Sequence, residues 1–119
     1  MIVTIKPNQI FIFGSNLNGF HSGGAARQAH EDFGAEWGVG EGLTGQCYAF
    51  PTLDENHKQV STTLLKASRL KLYQTAQKHP ELEFLLTKVG CGIASFPEIK
   101  MKKLFANAPK NIIKPEDWR

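Results

Sequence analysis

Hydrophobic positions along the 119-residue chain fall into blocks of two kinds. Residues 9–13 (QIFIF) form a continuous β-branched and aromatic run, which predicts a strand buried on both faces and therefore a parallel or mixed sheet. Residues 47–51 (CYAFP), ended by Pro51, and residues 83–89 (EFLLTKV) read the same way. Shorter runs at residues 2–5 (IVTI), closed by Pro7-Asn8, and within NIIKP near the end predict two further strands. Elsewhere the apolar positions recur at helical spacing. Ala25, Ala26, Ala29 and Phe33 predict a helix over 24–33, with Gly34 as its stop. Leu64, Leu65, Leu72, Tyr73 and Ala76 predict a longer one over 62–78, capped by Ser61 and broken by HPE. Pro97 suits the first turn of a third helix, with Ile99, Leu104 and Phe105 facing inward.

The resulting order, β-β-loop-α-loop-β-α-β-loop-α-β, predicts one domain over residues 1–119. Its expected architecture is a three-layer α/β/α sandwich with a mixed, mostly parallel sheet. Ligands of such sheets sit beyond the carboxyl ends of the strands.

Glycine-rich segments are placed where that rule makes them informative. FGSNLNGFHSGGAARQAH follows one buried strand, and VGCGIASFP follows another; both lead into helices. Glycine lets backbone N–H groups approach a ligand, and a helix entered this way offers unpaired donors and the positive end of its dipole. Two such loops at one sheet edge fit a diphosphate; the alternative is that the glycines serve tight turns and close packing. A third segment, AEWGVGEGLTGQ, follows a helix and a Trp rather than a strand, which argues against a dinucleotide fingerprint. Neither GxxxxGK[ST] nor GxSxG occurs. No His/Cys/Asp grouping has zinc-ligand spacing; His57 and His79 read as solvated loop histidines and His30 as exposed or packed.

Composition narrows the class. At 41% hydrophobic and 21% charged residues the chain can bury a core. The apolar runs are too short to span a membrane and the start lacks signal-peptide features, so a soluble cytoplasmic protein is expected, without membrane contact. Cys47 and Cys91 are then reduced thiols. A net charge of +3 and a pI near 9.0 suit an anionic small molecule or, alternatively, nucleic acid or a protein partner. Lys100, Lys102 and Lys103 read as a solvated helix face.

IFIFGSNLNGFHSGGAARQAH resembles the macro-domain signature, and FLLTKVGCGIASFP resembles that family's second ligand loop. QCYAFP and NIIKP follow in the family's order, so the likeness covers roughly residues 9 to 115, closest to small bacterial and phage macro-like proteins. The resemblance implies a pocket for ADP-ribose or a related nucleotide diphosphate, in a module that binds or hydrolyses ADP-ribosyl groups without a cofactor. Gly14, Ser15 and Asn16 would begin the ligand loop, with Asn16 reaching the distal ribose. Ser22, Gly23, Gly24 and Ala25 would form the first diphosphate loop, and Gly90, Cys91, Gly92, Ile93 and Ala94 the second. Phe96 lies where an aromatic packs near a ribose. Two features depart from the family: IVTIKP offers no acidic residue to read an adenine amino group, and GCGIAS has no aspartate to work with Lys88.

For chemistry, His21, Glu41 and Asn16 are the candidates. His21 is either a general base or a loop-fixing side chain. Glu41 is either the carboxylate that activates a water or a solvated loop acid. Lys88 either meets a phosphate or ends its strand in solvent. Cys91 is either a stabilised thiolate at a helix entry or a buried inert thiol. Gln46 and Thr52 flank CYAFP and would face a ligand if that strand ends at the pocket; Trp37 either shields the pocket or packs.

Overall fold

The computed structural model describes residues 4–119. The strand expected at residues 2–5 falls partly on Ile2 and Val3, outside the described residues; Thr4 and Ile5 carry no strand. The elements are β1 (Gln9–Asn16), α1 (Gly24–Phe33), β2 (Gly42–Thr44), β3 (Cys47–Leu53), α2 (Thr62–Lys78), β4 (Glu83–Leu86), α3 (Glu98–Leu104), β5 (Ile112–Ile113) and a final 3-10 turn, Glu116–Trp118.

Five strands make one sheet in the order β2-β3-β1-β4-β5. β1 pairs in parallel with both β3 and β4, β4 pairs in parallel with β5, and β2 is antiparallel to β3. The fold is therefore α/β with a mixed sheet. The central place of β1 explains its unbroken apolar run, because alternation sends its side chains into two separate clusters. Ile10 and Ile12 join Tyr48, Phe50 and Phe84 beneath α2 and α3, through Leu65, Leu72, Met101 and Leu104. Phe11 and Phe13 join Cys47 and Ala49 beneath α1, through Ala26, Ala29 and Phe33. Among the described residues the sheet's share of that second cluster comes from β1 and β3, and Leu85 and Ile113 of β4 and β5 are half-buried.

Helix ends follow their punctuation. Gly34 closes α1 in the left-handed conformation, φ 80°, its N–H donating to the Ala29 carbonyl. The Ser61 hydroxyl accepts the Leu64 N–H at 3.1 Å and starts α2. Three expectations need correction. Ile99 does not face inward; it is exposed, and Met101 takes the core position of α3. The strand expected over 83–89 ends at Leu86, where pairing with β1 stops at Ile12. The segment read as a loop over 35–46 contains the edge strand β2, which exists through its pairing with β3.

One irregularity lies where β1 and β3 end. Ser15 is opposite Pro51, but Asn16 is opposite Leu53, so Thr52 is an extra residue in β3. Such a bulge re-aims a side chain at the end of a sheet. Among the described residues no helix is long and apolar enough to cross a membrane.

Candidate functional site

A cavity of about 380 Å³ opens at the carboxyl ends of β1, β3 and β4. Gly14, Ser15 and Asn16 form its floor from β1, Thr52 and Leu53 come from the bulged end of β3, and Thr87, Lys88 and Val89 follow β4. Ser22, Gly23, Gly24, Ala25 and Ala26 supply one wall at the start of α1; Gly90, Gly92, Ile93 and Ala94 supply the facing wall. Phe20 and His57 complete the rim.

Much of this surface is backbone. Gly23 is the N-cap of α1, extended and without a side-chain cap, and no acidic residue occupies the first turn. The first N–H groups of α1 thus lack intrahelical acceptors and carry the positive end of the helix dipole. Opposite them, the N–H groups of Gly90, Gly92, Ile93 and Ala94 take part in no backbone hydrogen bond among the described residues. The second loop is held in shape by Phe96 N–H to the Gly90 carbonyl at 2.8 Å, by Ser95 N–H to the Gly92 carbonyl at 2.9 Å, and by Gln59 Nε2 to the Ala94 carbonyl at 2.7 Å. Gly90 is required twice over. Its φ is +79°, and a Cβ there would meet Phe96 and Met101 at 3.1 Å and Thr52 at 3.3 Å. The two walls nearly touch at the mouth, since a Cβ on Gly23 would lie 3.9 Å from Ile93 Cδ1.

The cavity's electrical character is one-sided. No Asp or Glu lines it; its ionisable side chains are His57 and Lys88. The Lys88 ammonium is already engaged, at 2.8 Å from Glu98 and 2.7 Å from Asp117. Those two carboxylates raise the Lys88 pKa, while Lys88 lowers both of theirs. Trp118 Nε1 also donates to Glu98 at 3.0 Å. Lys88 therefore braces the second loop against the 3-10 turn while it lines the cavity, exposed and with its charge shared by two carboxylates.

No family model matches this chain, and neither a curated protein nor a solved structure does.

Of the three residues considered for chemistry, only Asn16 lines the cavity. Its amide closes the loop, Nδ2 donating to the Phe20 carbonyl at 2.8 Å and Oδ1 accepting the Phe20 N–H at 2.9 Å. His21 is outside the lining, 1% exposed and edge-on to Phe13. Its Nε2 lies 2.8 Å from the Glu36 carbonyl. A carbonyl only accepts, so Nε2 carries the hydrogen and the buried Nδ1 is left without a partner. Burial lowers the His21 pKa, the Glu36 bond partly opposing it. The loop-fixing alternative is the one this geometry fits. Glu41 also stands outside the lining, with Oε1 at 3.4 Å from Lys71. It sits near Tyr48, whose pKa is pushed up to about 12 by burial first and by the Glu41 charge second.

Two proposed ligand contacts are likewise elsewhere. Phe96 is buried beneath Gly90 rather than lining the cavity, with Lys100 over its ring. The Cys91 side chain turns inward against the core, Sγ 3.7 Å from the Val89 carbonyl, and desolvation raises its pKa. The aromatic at the rim is Phe20, half exposed and stacked on Trp37 with ring centroids 5.6 Å apart. Phe20 and Thr87 join the lining beyond the residues expected from the sequence; an aromatic inside a glycine-rich loop is the available signal for the first. His57 reaches the rim because Asp54 Oδ1 accepts the N–H groups of Asn56 and Lys58, folding LDENHK back on itself. Among the described residues no group of three or more His, Cys, Asp or Glu is arranged to hold a metal ion.

Proposed function

We propose that this cavity binds the diphosphate of ADP-ribose or of a related nucleotide, in a macro-like domain whose two apolar clusters on opposite sheet faces support a three-layer α/β/α reading. One observation carries the proposal. Two glycine-bearing strand-to-helix loops face each other across a cavity that presents unengaged backbone donors and no carboxylate. Phosphate oxygens are the acceptors such a surface lacks. In this reading the N–H groups at the start of α1 take one phosphate and those of Gly92, Ile93 and Ala94 take the other. Asn16 lies beside the ribose, and Phe20 offers an apolar rim.

Binding is favoured over hydrolysis. No carboxylate lines the cavity and His21 and Glu41 lie outside it, so the general-base candidates expected from the sequence do not reach it; the one imidazole in the lining is His57, on the rim. The test is calorimetric titration with ADP-ribose, with ADP and AMP as controls, on the parent and on Gly23→Asp. Gly23 has φ −157°, which any residue adopts, so the variant adds a negative charge without backbone strain. Micromolar binding that is abolished in Gly23→Asp supports the reading. Absence of heat at millimolar ligand, or equal affinity in the variant, overturns it.

A further inference from the structure

A second cavity, of about 450 Å³, lies between α2 and the C-terminal end of α3. Its walls include Lys66, Arg69, Leu70, Tyr73, Lys103 and Asn107, none of which lines the first cavity. Charge is segregated toward this side of the chain. Residues 62–110 hold nine Lys and Arg against three Asp and Glu, a net +6, whereas the remainder holds five against eight, a net −3. α2 itself contains four basic residues and no acidic one.

The cations around the cavity are not spent on neighbours. Neither Lys66 nor Lys103 has a carboxylate partner among the described residues. Arg69 Nη1 donates to the Leu104 carbonyl at 2.9 Å, which fixes the guanidinium at the end of α3 and leaves its other N–H groups. Two ammonium groups and a guanidinium, with no carboxylate in the lining, make a set of donors only. A tetrahedral oxyanion with several accepting oxygens satisfies such a set better than a planar carboxylate does.

We infer that this groove is a second binding site, for a phosphate group either free or carried in a polynucleotide backbone. It does not depend on what the first cavity holds.

The test uses the full chain with two probes, inorganic phosphate and a short fluorescent single-stranded oligodeoxynucleotide. Binding is followed by amide chemical shifts and by anisotropy across a salt series. The amides of Leu70, Tyr73 and Asn107 are expected to move with either probe. In the double variant Lys66→Gln/Lys103→Gln, affinity for the oligonucleotide should drop about tenfold and the log–log salt slope should shrink by about 1.4, two contacts at about 0.7 each. Lys66 and Lys103 are exposed, so the double variant retains the core. A response to phosphate that the oligonucleotide does not exceed assigns the site to the free anion; tighter, salt-dependent oligonucleotide binding assigns it to the polymer. No movement of these amides with either probe, or a double variant that binds both probes as the parent does, overturns the inference.

Discussion

Replacing Gly90 by Ala tests whether the second loop is shaped by packing as well as by conformation. Gly90 has φ +79°, a region that costs an L-residue about 1–2 kcal/mol. The new Cβ would also meet Phe96 and Met101 at 3.1 Å and Thr52 at 3.3 Å. Overpacking of this kind costs about 1–3 kcal/mol. The side chains of Met101 and Thr52 can shift by a few tenths of an ångström, so the low end of that range applies. The sum is about 2–3 kcal/mol, and with a urea m-value of about 1.5 kcal/mol/M the unfolding midpoint should fall by about 1.3–2 M. Gly92→Ala is the matched control, because Gly92 has no positive φ and a Cβ there meets nothing within 4 Å. Its midpoint should stay within about 0.3 M of the parent, as for a substitution that touches nothing. Equal midpoints for the two variants would refute the reasoning.

Other expectations follow from the ion pairs and thiols. Glu98 and Asp117 have lowered pKa values through Lys88, so the stability they give is complete above the ordinary carboxylate range and is lost as pH falls below it. Lys88→Gln should therefore flatten the acid limb of thermal stability below about pH 4. Melting curves from pH 2.5 to 7 check this, and an unchanged limb would show the brace to be inert. Cys91, with its raised pKa, should react with iodoacetamide at pH 7.5 more slowly than free cysteine. Cys47, fully buried with its pKa pushed up to about 12, should react only on unfolding; mass spectrometry over time distinguishes the two.

The elements most legible in the sequence are those whose ends are set by local chemistry. α1 and α2 begin and end where the sequence places them, because Gly34 and Ser61 act through backbone atoms of their own helices. β2 was not legible, since three residues without alternation become a strand only when β3 lies alongside. The candidate cavity divides the same way. Its glycine-rich walls could be read because backbone approach leaves a compositional trace. The fates of His21, Glu41 and Lys88 could not, because each is decided by a partner distant in sequence or brought close by a loop: the Glu36 carbonyl, Lys71 and Asp117. Phe96 was misplaced because Gly90 leaves just the space its ring fills.

The brace between Lys88, Glu98 and the 3-10 turn also sets an order of events during synthesis. The β2–β3 hairpin and the sheet's three longer-range pairings involve no residue beyond β5, but Asp117 and Trp118 come after every strand. Until they leave the ribosome, Lys88 and Glu98 have only each other, and Phe105 lacks the Trp118 ring that stacks on it at 6.3 Å. The residues that complete the brace on the cavity's second wall thus come after every strand in chain order, so the sheet's residues are all made before those that fix that wall.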